Sequence, residues 1–361
     1  MSLLDRYIVS DFLKFLFLSL LAIVIIFVVV DLFEDLDKFI DRKVSVMSVV
    51  EFYLYEIPNI VILITPVALI VSCFLSLGTL SRHNELLAMR SSGVSLFRIL
   101  IPLFIIGIVV SAGVLIMDEL LIPYTNQKKQ TVKRVKIDKK PKINYERRWN
   151  LYYAGEGNRF YFIGFFDARK KIVRDIMISE YTADWKLSQR LDAKNGYWSD
   201  SVWCFRDAVV TKFTPGGEQV SEHFKELKMP QIKEVPEDFS KPQKFPEGMN
   251  FLELKKYSMR LKRSGGNYIK YLVELHYKLS FPFTSFIIIL FGAPLAANLR
   301  KTGFAISFTA SLTICFVYWG VIQIFRSFGQ NGVLPPSISL WIPNIIFLSG
   351  GIYLLYTTAK K

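Results

Sequence analysis

Hydrophobic positions along the 361-residue chain gather in two blocks, about 12–122 and 279–359, around a polar middle. A membrane span takes about 20 predominantly apolar residues, at 1.5 Å rise through about 30 Å of hydrocarbon. Six runs meet that length. Phe12–Val30 is broken only by Lys14, while Ile57–Leu80, Ile99–Met117, Leu279–Leu299, Thr302–Phe325 and Ser337–Tyr356 carry no charged residue. Between the blocks the pattern changes to short alternating runs rich in Tyr, Phe, Trp, Val and Ile: Trp149–Ala154, Arg159–Phe166, Ile172–Tyr181, Lys186–Ala193, Val202–Phe213 and Glu218–Leu227. Turns are expected at Gly155-Glu156-Gly157-Asn158, Ala183-Asp184, Asn195-Gly196 and Pro215-Gly216-Gly217. Strands at this spacing predict an antiparallel sandwich or roll. Tyr124–Ile137 and Asn250–Lys278 read as helical flanks, the second amphipathic and running straight into span four, and Pro230–Pro246 reads as a connector. The expected organisation is three spans with a surface helix (1–123), an extramembrane β domain (124–250), then an amphipathic helix and three spans (251–361).

Lysine and arginine in the short loops predict orientation. Arg6, Lys14, Arg82, Arg90, Arg98, Arg300, Lys301, Lys360 and Lys361 fall on one side, against Lys38, Arg42, Lys43 and Arg326 on the other. Both termini of this multi-pass protein are therefore expected in the cytoplasm, with the polar middle outside the cytoplasmic membrane. The first span does not read as a cleaved signal, because its apolar run is long and Asp31-Leu-Phe-Glu34 follows in place of a small-residue cleavage site.

Composition narrows the classes. With 52% hydrophobic residues, 21% charged and 30 phenylalanines, disorder, a secreted disulfide scaffold and an ordinary cytosolic enzyme are excluded. Nearly all of the net charge of +14 lies in 124–278, which holds 32 basic and 19 acidic residues. Cys73 and Cys315 sit in spans and Cys204 stands alone, so no disulfide framework or metal spacing is available. No Gly-Lys dipeptide occurs to build a phosphate-cradling loop, His83, His223 and His276 are far apart, and there is no Gly-x-Ser-x-Gly elbow. No charge lies in the heart of a span, which argues against an ion-coupled carrier. The chain is expected to be non-catalytic, to hold no metal and bind no nucleic acid, and to draw any energy from a partner.

One loop is rich in signal: Gly78-Thr-Leu-Ser-Arg-His-Asn-Glu-Leu-Leu-Ala-Met-Arg-Ser-Ser-Gly93. Ser81 or Asn84 is placed to cap a short helix and Gly93 to end it, with Leu86, Leu87 and Met89 on the apolar side and Arg82, Glu85 and Arg90 outward. Such a helix suits a groove on a cytoplasmic protein; a solvated, positively charged loop is the alternative.

This loop, with Leu4-Asp-Arg-Tyr-Ile8, Trp185-Lys-Leu, Ala193-Lys-Asn-Gly-Tyr-Trp198, Trp203, Lys278-Leu-Ser-Phe-Pro282, Leu334-Pro-Pro and Trp341-Ile-Pro-Asn344, resembles the LptF/LptG permease family of the lipopolysaccharide export transporter. The N-terminus and Leu261-Lys-Arg-Ser-Gly265 look more like the LptG branch. The resemblance covers nearly the whole chain. It implies an α-helical membrane protein with six transmembrane helices, three plus three, and an inserted periplasmic antiparallel β-jellyroll-like domain. It further implies a permease subunit that takes lipopolysaccharide from the outer leaflet of the inner membrane, paired with a paralogous LptF/LptG-type permease and surrounded by membrane lipids. A cytoplasmic ABC ATPase dimer would hold the ATP and magnesium, this chain carrying no cofactor, and a periplasmic β-jellyroll bridge protein would receive the lipid. The loop becomes a coupling helix, about 81–93, with Arg82, Glu85, Leu86, Met89 and Arg90 at the ATPase.

Each buried methylene is worth about 0.8 kcal/mol, so exposing one acyl chain of about a dozen carbons costs about 10 kcal/mol. Several chains together need an apolar shelter. The resemblance puts it between spans one and five, where Phe17, Leu20 and Phe27, and Phe304, Phe308 and Phe316, are candidate lining residues; lipid-facing or helix-packing roles are the alternative for each. Candidate phosphate contacts are Lys38, Arg42, Lys43, Lys128, Lys129, Lys133 and Arg134. Family members often carry a basic residue where this chain has Asp31, followed by Glu34, Asp35 and Asp37. A second reading, of a different class, is a membrane-anchored scaffold whose β domain recruits envelope-assembly partners without transport.

Overall fold

The computed structural model describes residues 3–140, 146–155, 158–182, 186–213, 219–240, 246–263, 268–297 and 304–359. The expected turns at Ala183-Asp184 and Pro215-Gly216-Gly217, the residues Glu156, Gly157, Trp185, Ser264 and Gly265, and the loop cations Arg300, Lys301, Lys360 and Lys361 lie outside them. The chain divides into two units: Met1–Lys140 with Pro246–Leu252 and Ile269–Lys361, and Pro141–Phe245 with Glu253–Tyr268.

The first unit is helical. Span one is α1 (Leu3–Glu34), followed by a short α2 (Leu36–Asp41). Span two is α3 (Val46–Arg82), and a seven-residue α4 (Glu85–Ser91) leads to α5 (Leu96–Ile116). A π-helical turn, Met117–Leu121, joins α5 to α6 (Ile122–Val132), and a second, Lys133–Ile137, prolongs it, so that span three is one helix of 42 residues. Residues 124–140, expected to open the extramembrane domain, thus extend the third span and belong to the helical unit. Five helices among the described residues are long and apolar enough to cross a membrane outright, and a bent pair supplies a sixth span.

That pair is α9 (Ile269–Ser280) and α10 (Phe283–Ala297), inclined by 46° (α8 is given below). Pro282 has no N–H to continue the ladder, and beyond it Thr284 N turns to the Phe281 carbonyl at 2.9 Å, so the Ser280 carbonyl lacks its helical donor. In an apolar setting such a group needs a partner. Asn344 supplies it, donating from Nδ2 to the Ser280 carbonyl at 2.9 Å and accepting from the buried Tyr318 hydroxyl at 2.6 Å. Span five is α11 (Phe304–Gln330) and span six α12 (Pro336–Ala359). The core is built by α3, α5 and α10, with Leu69, Ile70, Cys73, Phe74, Ile99, Leu103, Ile288 and Ala293 fully enclosed. Small residues let the helices close up: a Cβ added to Gly292 would stand 3.1 Å from Ile70 Cγ1.

The second unit carries one six-stranded antiparallel sheet whose strands pair in chain order, consistent with the jellyroll-like expectation. They are β1 (Arg147–Ala154), β2 (Arg159–Asp167), β3 (Ile172–Tyr181), β4 (Leu187–Ser199), β5 (Val202–Phe213) and β6 (Gln219–Met229). Asn195-Gly196, read from sequence as a turn, instead continues β4; Gly196 serves close packing, since a Cβ there would lie 2.7 Å from both Phe205 and Val173.

The sheet bends along a line. Pairing skips one residue in every strand, at Asn150, Gly164, Asp175, Lys194, Asp207 and Lys225, each opposite the next. On alternate strands the skipped residue is left-handed: Asn150 at φ 50, Asp175 at φ 50 and Asp207 at φ 52. Asn and Asp tolerate that conformation because their short polar side chains bond locally. Inward residues step by two along each strand but by three across the line, as at Ile163 and Phe166, Val173 and Ile176, Ala193 and Gly196, or Phe205 and Ala208. Both halves of every strand therefore keep the same face inward, as a bulge permits.

The 230–240 segment, read as a connector, is a strap over that face. It includes α7 (Pro236–Ser240), whose Phe239 packs against Tyr153, Tyr161, Phe166 and Trp203. Glu234 is buried and fastened twice: Tyr161 donates to its carboxylate at 2.8 Å and Trp203 Nε1 to its carbonyl at 2.8 Å. The strap leaves no room for a side chain at Gly155, where a Cβ would come 2.2 Å from Glu234 Oε1. The expected single stretch Asn250–Lys278 is in fact two helices, α8 (Phe251–Arg263) and α9.

Candidate functional site

All sequence-derived candidate residues lie in the helical unit: two polar groups at opposite ends of the spans, and the apolar candidates on spans one and five between them.

The first group is α4. Ser81 lies inside α3, so Asn84 takes the N-cap place, at φ 61. The end is a Schellman closure: Gly93 N donates to Arg90 O at 3.0 Å and Val94 N to Met89 O at 3.2 Å. Gly93, at φ +90, needs to be glycine for this. Ser95 then caps α5 by accepting from Arg98 N at 3.3 Å. Leu86 is buried in the helical core and Met89 packs against it, so these two anchor the helix, while Arg82, Leu87 and Arg90 face out. Glu85 is half-buried and accepts a hydrogen bond from the Tyr7 hydroxyl at 2.9 Å. Asp5, two residues before Tyr7, is buried and takes both arms of the Arg98 guanidinium, at 2.7 and 3.0 Å. The sequence shows Asp5 and Tyr7 within Leu4–Ile8 and Arg98 among the loop cations, but not that Tyr7 meets Glu85 or Asp5 meets Arg98.

The second group lies at the far ends of spans one to three. Lys38 pairs with Asp35, Arg42 with Asp138 and Lys129 with Glu56. The bond from Asp35 keeps the Lys38 ammonium above its ordinary range. Lys136 joins Glu51 in the same array, and Asn59 donates to Asn126 at 2.6 Å. Under these contacts Phe39, Phe52, Tyr53, Val132 and Ile137 form a small core. The array thus zips the extension of α3 to α6 and its π-turn. No carboxylate partner is found for Lys43, Lys128 or Lys133 among the described residues; Lys128 stands 5.7 Å over the Tyr124 ring. Arg134 is exposed on the same helix extension. Asp31 accepts from the Tyr53 hydroxyl at 2.9 Å and so ties the end of span one to α3. Among the described residues no group of three or more His, Cys, Asp or Glu could hold a metal ion.

Between the groups lie the apolar candidates of α1 and α11. The buried residues of α1 are Asp5, Ile8, Phe12, Leu16 and Ser19, one stripe confined to its first half. Phe17 (67% exposed) and Phe27 face away from the bundle, whereas Leu20 packs against the core. On α11, Phe316 is 62% exposed, and Phe308 meets Phe74 edge-on at 5.9 Å. Phe304 heads the helix, its side chain outside the described residues.

A feature absent from the sequence reading is a cavity of about 240 Å³ beside the bend of span four, bordered by Asn59, Asp118, Glu274, Tyr277, Lys278 and Arg326. Two ion pairs face it. Lys278 donates to Asp118 Oδ2 at 2.9 Å and to the Asp118 carbonyl, in the π-turn, at 3.2 Å. Arg326 reaches both oxygens of Glu274 at 2.6 and 2.7 Å while lying 4.5 Å from the Tyr277 ring centre. Together they clamp α9 to span three and to span five. The sequence signal was an opposite charge at the edge of each neighbouring span, without any indication of who pairs with whom.

Comparison with known proteins agrees with this architecture. Residues 6–357 match the family model described as lipopolysaccharide export system permease LptF/LptG. The chain is 19% identical over 360 residues to the lipopolysaccharide export system permease protein LptG of Escherichia coli K12, covering 98% of this chain and 97% of that protein. To the LptG protein of Haemophilus influenzae it is 20% identical over 351 residues, 96% of each. With six potential spans, an antiparallel sheet inserted between the third and the fourth, and a family match from one end to the other, this chain belongs to the LptF/LptG family of lipopolysaccharide export system permeases.

Proposed function

We propose that the protein is the permease subunit of an ABC transporter that lifts lipopolysaccharide out of the outer leaflet of the inner membrane and passes it to a periplasmic bridge protein. Both termini and α4 face the cytoplasm, and the sheet faces the periplasm. The observation that carries this reading is the openness of span one: 11% of its most apolar stretch is buried, against 67% for α3, and its second half, with the exposed Phe316 side of α11, offers broad apolar surface. A paralogous permease placed against them would enclose an apolar shelter between the two proteins. ATP and magnesium reside on a cytoplasmic ATPase dimer, onto which the end of α3 presents Arg82 and α4 presents Glu85 and Arg90 from a rigid frame. Because Lys38, Arg42 and Lys129 are engaged by carboxylates of this chain, substrate phosphates meet Lys43, Lys128 and Lys133 first.

The test is purification of the tagged chain from its own membranes in mild detergent, with mass spectrometry of proteins and lipids. The expected result is a nucleotide-binding subunit, a second six-span permease and a phosphorylated glycolipid in one complex. Recovery of intact chain with periplasmic proteins but neither ATPase nor glycolipid would sink this reading in favour of a scaffold.

A further inference from the structure

The first turns of α1 reach the coupling helix directly. The Tyr7 hydroxyl donates to Glu85 Oε2 across 78 residues of sequence. Asp5, two residues before it, grips Arg98 at the head of α5 with two charge-assisted hydrogen bonds. Ile8 and Phe12 continue the same stripe with no exposed surface. The start of span one is thereby fastened to both α4 and the helix that follows it, whereas beyond Ser19 no residue of α1 is buried.

Along the chain, span one and α4 are separated by α2, the 37 residues of α3 and their loops. In space the separation is one hydrogen bond. A glutamate on a seven-residue helix has three rotatable bonds and no fixed direction of its own. A phenol held on another helix fixes one carboxylate oxygen, Oε2, and leaves Oε1 without a partner among the described residues, for a cation to take.

We propose that Tyr7 is a positioning residue: it aims Glu85 at the ATPase and makes span one follow the coupling helix. This rests on the permease function proposed above. Motion imposed on α4 reaches the open, lipid-facing span through a direct lateral link as well as through the packed core.

The experiment uses the whole complex in vesicles, with lipid delivered to a soluble acceptor and ATP hydrolysis followed in parallel. Tyr7→Phe keeps the ring and removes the donor. The lipid moved per ATP is expected to fall about fivefold, the size of one such hydrogen bond, with the complex recovered in normal yield. Glu85→Ala lowers the same ratio, and adding Tyr7→Phe to it changes nothing more, because the hydroxyl acts through the carboxylate. A wild-type ratio in Tyr7→Phe overturns the proposal and leaves the permease function standing. A further fall in the double variant, or loss of the ATPase from Tyr7→Phe, also overturns it, by giving Tyr7 another role. A Glu85→Ala complex that keeps the wild-type ratio overturns the coupling role of α4 underneath.

Discussion

Spans one and two are both amply apolar, yet 67% of the most apolar stretch of α3 is buried inside the protein and only 11% of that of α1. Hydrophobicity does not explain the difference, because lipid tails receive a leucine as well as a protein core does. Closeness of approach explains it. The enclosed face of α3 includes Thr65, Ala68, Ser72, Cys73, Ser76 and Gly78, and α10 meets it with Gly292, Ala293, Ala296 and Ala297. Backbones that come near gain contact along their whole length. The second half of α1 reads Leu20-Leu-Ala-Ile-Val-Ile-Ile-Phe-Val-Val-Val30, and its branched, bulky side chains hold neighbours off. Span two is a fixed post; span one is packed along its first half, from Asp5 and Tyr7 to Ser19, held again at its end by Asp31, and left open over its second half.

The contrast can be broken at three points. Leu69→Ala, in the fully enclosed face of α3, is expected to cost about 2–5 kcal/mol as a cavity, read as a lowered Tm of the purified protein. Gly292→Ile forces a branched side chain against Ile70 and should cost about 1–3 kcal/mol by overpacking; a variant as stable as the parent would show that close approach of α3 and α10 is not what orders them. Phe17→Ala should change stability by no more than about 0.5 kcal/mol while lowering the glycolipid that co-purifies. If Phe17→Ala lowered Tm as much as Leu69→Ala, span one would be packed after all.

The positions of the spans were legible because a run of 20 apolar residues has few other destinations. Strand positions were legible for a similar reason, alternation being local. What escaped was decided by distant residues. Nothing local distinguishes Asn195-Gly196 in the middle of β4 from a turn; Phe205 and Val173, pressing on Gly196, make the distinction. The break of span four at Pro282 was hidden within an uninterrupted apolar run, and its repair by Asn344 comes from 64 residues away. Asp35 stands three residues before Lys38 in the sequence itself, whereas Arg42 and Lys129 meet acidic partners, Asp138 and Glu56, that only helix packing brings to them. The same holds for Tyr7: within its own turn it is an ordinary tyrosine, and only the fold brings Glu85 to it.

The line that crosses the sheet at Asn150, Gly164, Asp175, Lys194, Asp207 and Lys225 has a consequence for how the domain can vary over generations. Each strand carries its additional residue in the same row, so a single-codon deletion in any one of them would turn half of that strand inside out, exchanging core residues for surface ones. No neighbour could compensate alone. Hairpin tips are under no such constraint, since adding residues there shifts no side chain from one face to the other. Length changes among descendants of this sequence should therefore accumulate at the tips, while the number of residues between each tip and the line stays constant.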